Sequence, residues 1–135
     1  MRNLIIIALA YIIPTFAIAY AWHLNIFKQR YAALEIYRDD VLPALGLSSM
    51  AIQAVAFWLI YQALIAPISG GWLAKAAAYA AFGSLLSWSF TTLAVAGKSR
   101  MRSVRDYVVI ETAFTAIQWI VVSVVTVVAL AWLSA

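Results

Sequence analysis

Glu111 is the one carboxylate inside any of the long apolar segments of this 135-residue chain, about a turn into the run 107–133. A charged side chain at such a depth is costly, so the group must be paired, protonated or turned toward a wet cavity. The functional reading is a proton or cation site. The structural reading, a carboxyl bonded to His23, Asn25 or a loop arginine, ranks ahead of it. His23, the sole histidine, is a candidate ligand or pH-responsive base, although near an interface such a group more often ties down the end of its helix. Gln53, Thr91, Thr115 and Gln118 are further candidates for a ligand or proton site.

One histidine cannot supply both axial ligands of a low-spin haem, and one His with one Glu is a poor metal site. No metal and no cofactor are expected. The chain has no cysteine, which removes disulfides and thiol chemistry together. Asp39-Asp40 lacks the repeated acidic motif of magnesium-dependent prenyl transfer. No Gly-rich phosphate loop, serine elbow or pair of intramembrane aspartates occurs. An enzyme is not expected.

The elements that carry these residues are apolar runs. Hydrophobic residues make up 67% of the chain and charged residues 10%, against roughly 25% charged in a soluble domain. With mean hydropathy +0.97, the chain lacks the polar residues to cover a water-facing surface. Runs at about 4–27, 42–65, 72–96 and 107–133 are each long enough to cross a ~30 Å hydrocarbon core. The expected fold is all-α: one domain over 1–135, an integral membrane antiparallel four-helix bundle. Pro14 should kink the first span without breaking it. Between spans 1 and 2, Phe27, Tyr31, Leu34, Tyr37 and Val41 form an apolar stripe among charges. That stripe predicts a short amphipathic helix on the cytoplasmic side, over about 28–40. Asp39 or Asp40 should cap the second span, with Pro43 in its first turn. Gly97 should cap the third. The short uncharged connection 66–71 predicts a tight hairpin of spans 2 and 3.

Positive charge sets the orientation. Lys28, Arg30, Arg38, Lys98, Arg100, Arg102 and Arg105 follow spans 1 and 3, while Arg2 and Lys75 lie on the other side. Seven against two puts loops 28–41 and 97–106 in the cytoplasm and both termini outside. The formal charge of +4 is thereby explained by topology, and no nucleic-acid partner is expected.

Helices in lipid associate through small residues and polar contacts, and each span offers a stripe of them. These are Ala10, Pro14, Ala17 and Ala21; Gly46, Ser49, Gln53 and Ala56; Ala80, Ser84, Ser87, Thr91 and Ala94; and Glu111, Thr115 and Gln118. At 1.5 Å per residue, His23, Thr91 and Glu111 lie roughly 7–11 Å below the cytoplasmic edge, with Gln53 and Gln118 near the midplane. Spans 1 and 4 should be neighbours, so His23 and Glu111 should meet. Tyr61, Trp72 and Trp132 fit an outer aromatic belt, and Trp22, Tyr31, Tyr37 and Tyr107 an inner one. Trp58, Trp88 and Trp119 fall too deep for a belt and are candidate cavity aromatics.

At Trp22-His23, Phe27, Tyr31, Ile36-Tyr37-Arg38-Asp39, Gly46-Leu47-Ser48-Ser49-Met50 and Gln53 the chain resembles a group of small four-span bacterial membrane proteins classed as a domain of unknown function. The resemblance covers mainly spans 1 and 2. It implies a bacterial inner-membrane setting and no particular activity. The expected function is a non-catalytic membrane protein, an accessory or self-associating subunit contacting the lipid bilayer and either its own copies or other membrane subunits. The alternative is a small-molecule, lipid or proton binding or transport module using the cytoplasmic-side polar cluster.

Overall fold

Apolar runs of this length satisfy their backbone polar groups internally, and the helix is the form that does so within one segment. The computed structural model describes residues 1–37, 40 and 42–133, and it is helical throughout, with no strand among the described residues. In chain order, α1 (Arg2–Ala21) runs into a π-helical turn, Trp22–Ile26, and α2 (Lys28–Leu34) follows. Next come α3 (Pro43–Ile60) with a π turn at Tyr61–Ile65, and α4 (Trp72–Ser87) with a π turn at Trp88–Leu93 that leads into α5 (Ala94–Lys98). The chain ends in α6 (Val104–Leu133), a single helix of 30 residues. Four helices are long and apolar enough to cross a membrane: Arg2–Ile26, Pro43–Ile65, Trp72–Lys98 and Val104–Leu133. They are spans 1 to 4 below.

Span 4 is the central element. It packs along span 3 on one side and span 1 on the other, and span 1 also carries span 2. Around Trp119, which is fully buried, Tyr11, Phe57 and Tyr79 form one aromatic cluster, with centroids 4.4–5.8 Å from the indole. Span 3 admits the indole only because residue 83 is glycine. A Cβ there would fall 2.1 Å from the Trp119 ring, far inside van der Waals contact. The indole N–H donates to Ser87 Oγ at 2.8 Å, so a deep tryptophan has its polar atom satisfied. From this cluster to the chain termini the helices close on one another, and Ile7, Ile65, Val122 and Leu130 are buried there.

At the opposite end α2 folds over the start of α6. Tyr31 and Leu34 are buried against Tyr107 and Ile110. This helix is shorter than the stripe predicts. It stops where Glu35 takes a left-handed conformation (φ 56°), which few non-glycine residues adopt. The Arg102 N–H donates to the Leu34 carbonyl at 3.1 Å, and its guanidinium pairs with Glu35 at 2.7 Å. The loop after span 3 thus caps the helix after span 1, and Tyr37 is left exposed. Arg38, Asp39, Val41 and Ala135, which carry part of the expected stripe, one expected cap, some of the loop charge and one terminus, lie outside the described residues.

Other local expectations are corrected. The N-cap position of α3 is Leu42, with no side-chain cap, and not Asp40, while Pro43 does occupy the first turn. Gly97 is inside α5, and the chain leaves that helix at Ser99 in an extended conformation, which needs no glycine. In accord with expectation, Pro14 does not break α1. Of the residues assigned to aromatic belts, Tyr61, Tyr31 and Tyr107 are buried within the protein, whereas Trp72 and Trp132 are exposed. Spans 2 and 3 meet near their turn, where Tyr61 and Tyr79 stack edge to face at 5.3 Å. Beyond that point they part, and the predicted tight hairpin becomes a fork.

Candidate ligand cleft

The fork encloses a cleft of about 560 Å³. Its back wall is built from two helix faces. On span 1, Tyr11, Thr15, Ala19 and His23 recur every four residues; on span 4, Glu111, Phe114, Thr115 and Gln118 do the same work. Its sides are Gly46, Ser49 and Gln53 of span 2 and Ser87, Phe90 and Thr91 of span 3. The floor is the aromatic cluster that seals the other half.

Hydrogen bonds tie the wall together. Gln118 donates through Nε2 to Thr15 Oγ1 at 3.1 Å, joining spans 4 and 1. The Tyr11 hydroxyl donates to Gln53 Oε1, joining spans 1 and 2, and Gln53 Nε2 in turn donates to Ser49 Oγ at 3.0 Å. Thr91 turns its hydroxyl back onto the Ser87 carbonyl of its own helix, and Phe90 lines the cleft beside it.

His23 and Glu111 do meet, at the loop end of the cleft. Nε2 lies 3.2 Å from Glu111 Oε1, and both side chains are largely buried. The same carboxyl oxygen accepts a 2.5 Å bond from the Tyr31 hydroxyl. The imidazole is held between Tyr31 and Phe114, each with its centroid 4.6 Å away. The π turn that begins at Trp22 carries His23; such turns often mark functional sites.

The protonation state follows from the donors and acceptors. Nδ1 is 3.0 Å from the Ala19 carbonyl, which can only accept, so Nδ1 carries a proton. A second lone pair on Nε2 facing a carboxylate oxygen would be repulsive. A proton must therefore occupy the Nε2···Oε1 gap, on one atom or the other. The pair then has no net charge, as a group in an apolar wall requires. Burial, and then the adjacent Glu111 carboxylate, push the Tyr31 hydroxyl above its ordinary range, which keeps it a donor.

The other predicted residues divide. Gln53, Thr91, Thr115 and Gln118 line the cleft with the pair. Asn25 does not: it lines a separate surface pocket with Lys28 and Arg30. None of the three deep tryptophans lines this cleft. Trp119 is filled in behind Gly83, Trp88 donates to Thr112 Oγ1 at 2.9 Å, and the buried Trp58 N–H has no partner among the described residues. The cleft aromatics are Tyr11, Phe57, Phe90 and Phe114. Sequence reasoning also passed over Tyr31 and Thr15. The four-residue spacing from Tyr11 to His23 was the available signal for Thr15. For Tyr31 it was the α2 stripe.

Among the described residues no group of three or more His, Asp or Glu side chains is arranged to hold a metal ion. No family model, curated protein or solved structure matches the chain.

Proposed function

We propose that this chain is a non-catalytic, multi-pass protein of the bacterial inner membrane that binds a small amphiphilic molecule in the cleft between spans 2 and 3. The observation that carries this reading is the cleft itself. At about 560 Å³ it falls within the roughly 300–1,000 Å³ of small-molecule sites, which are mostly apolar with a few convergent polar groups. The four spans form an antiparallel bundle with loops 28–41 and 97–106 in the cytoplasm and both termini outside, as the distribution of positive charge requires. The cleft then opens sideways in the cytoplasmic half of the bilayer, where an amphiphile is concentrated.

A subunit role, with a partner helix seated between spans 2 and 3, is the competing reading. The stripe of Gly46, Ser49 and Ala56, exposed on the cleft face, favours it. Size opposes it. A helix about 10–12 Å across fills the space with roughly four residues, so a partner helix would cover the mouth and not occupy the cleft. Purification in mild detergent followed by native mass spectrometry separates the two. A retained small molecule, lost with Phe90→Ala or Ser49→Phe, supports the binding module. A stoichiometric second chain with no small molecule supports the subunit. Orientation is tested with Arg102→Cys and an impermeant thiol reagent in intact cells, since the chain has no native cysteine. No labelling is expected, and labelling would reverse the topology.

A further inference from the structure

His23 borders two spaces. On one side is the cleft. On the other is an outer pocket of about 450 Å³ at the loop end, lined by His23, Lys28, Tyr31, Glu35 and Tyr37 among others. Glu111 lines the cleft alone of the two, and Tyr31 lines the outer pocket. The hydrogen-bonded chain Tyr31–Glu111–His23 is therefore the partition between them.

The charge of the wall selects the ligand. Among the described residues no lysine or arginine lines the cleft, and neither α3 nor the Trp88–Leu93 turn contributes a titratable side chain to it. Tyr11, from span 1, bonds Gln53. Tyr107, beside Glu111 on span 4, is buried in the loop-end cluster. Both hydrogen bonds to the Glu111 carboxyl fall on Oε1, so Oε2 has no protein donor among the described residues. An anion would meet no countercharge in the cleft except the protonated imidazole, which already faces Glu111. A cation would meet the carboxylate in a cleft that Phe57, Phe90 and Phe114 also line, and aromatic rings attract organic cations.

A cation added to the neutral pair would leave one uncompensated positive charge in an apolar wall. The pair can remove it by giving up its shared proton. We propose that the cleft binds an amphiphilic organic monocation in exchange for the proton held between His23 and Glu111, and that His23 delivers this proton to the outer pocket. In the step, the N–H at Nε2 breaks and its electron pair stays on the ring. The proton goes to water in the outer pocket, the carboxylate pairs with the incoming cation, and the total charge is unchanged. The inference rests on the cleft being a small-molecule site.

Tetraphenylphosphonium, a permanently charged aromatic cation, and triphenylphosphine oxide, its neutral relative, separate the two claims. Each is titrated calorimetrically into the protein in lipid nanodiscs, in two buffers of different ionisation enthalpy. The expected result is about one proton released per phosphonium bound. Affinity should rise about tenfold per pH unit while the pair is protonated, and level off above that range. The phosphine oxide should bind with no proton release and little pH dependence. Glu111→Gln should lose phosphonium binding by about 100-fold or more while keeping the phosphine oxide, which also shows that the variant is folded. His23→Gln leaves the proton on Glu111 alone, so it should still bind phosphonium with release of a proton. It should do so more slowly than the native protein, because the imidazole path to the outer pocket is gone; equal rates would remove His23 from that path. If the phosphine oxide binds and phosphonium does not, or if phosphonium binds without proton release, the exchange is wrong and the cleft stands. If neither binds, both fall.

Discussion

The two halves of this molecule use the same helices for opposite ends. Toward the termini, glycine and tryptophan interlock: the absent Cβ of Gly83 is replaced by the Trp119 ring, and Tyr11, Phe57 and Tyr79 close around it. Toward the loops, Gly46 has nothing within 4 Å of the place its Cβ would take, and its neighbours Ser49 and Gln53 face open space. Small residues in a long apolar helix are thus not one signal. They permit close packing only where the opposing helix brings something large to fill the room; otherwise they widen a cavity.

The largest test of that contrast is at the sealed end. Gly83→Ala forces the Trp119 ring to move and should cost about 3 kcal/mol, at the top of the usual range for overpacking. Adding Trp119→Leu should recover part of the loss. Unfolding in mixed micelles measures both. If Gly83→Ala is silent, the interlock is not what holds spans 3 and 4 together.

The loop end should respond next. Glu111→Leu removes the acceptor of both Tyr31 and His23 and should cost about 2 kcal/mol, whereas Glu111→Gln, which still accepts a hydrogen bond, should cost about half as much. Equal losses for the two would mean that the hydrogen bonds do not hold α2 in place.

A smaller effect appears only in alkali. The Tyr31 hydroxyl titrates above its ordinary value of 10.0 when folded. The stability this group contributes is thus complete below about pH 10 and lost as pH rises beyond it. Tyr31→Phe should therefore flatten the alkaline limb of a stability-versus-pH curve, and an unchanged limb would place the titration elsewhere. The smallest effect is Gly46→Ala, expected to change stability by less than about 0.5 kcal/mol; a large loss there would mean that the cleft is packed shut.

Much of this was legible from residue order. Hydropathy places the four spans within a few residues of their observed ends, because each run is bounded by charge, proline or glycine. Equal depth from the loop charges brings His23 level with Glu111. What was not legible depends on tertiary partners. The π turns at Trp22, Tyr61 and Trp88 shift hydrogen bonds by one residue, as from Phe27 N to Trp22 O at 3.0 Å, and leave no distinctive residue pattern. Gly83 reads as an ordinary helix glycine until Trp119 is set opposite it. The stripe Gly46-Ser49-Gln53-Ala56 reads as a packing face because nothing in spacing tells a filled groove from an empty one. Where α2 stops depends on Arg102, nearly seventy residues further along the chain.

The most direct measurement compares one serine from each half. Ser49→Cys lies on the cleft wall and Ser123→Cys in the sealed core, where the native serine is 1% exposed; each is the only thiol in its chain. With N-ethylmaleimide on the protein in nanodiscs, Ser49→Cys should label readily and be slowed by a bound amphiphile such as triphenylphosphine oxide, and Ser123→Cys should stay unlabelled. Equal labelling at both positions, or an inert Ser49→Cys, would contradict an open cleft above a sealed base.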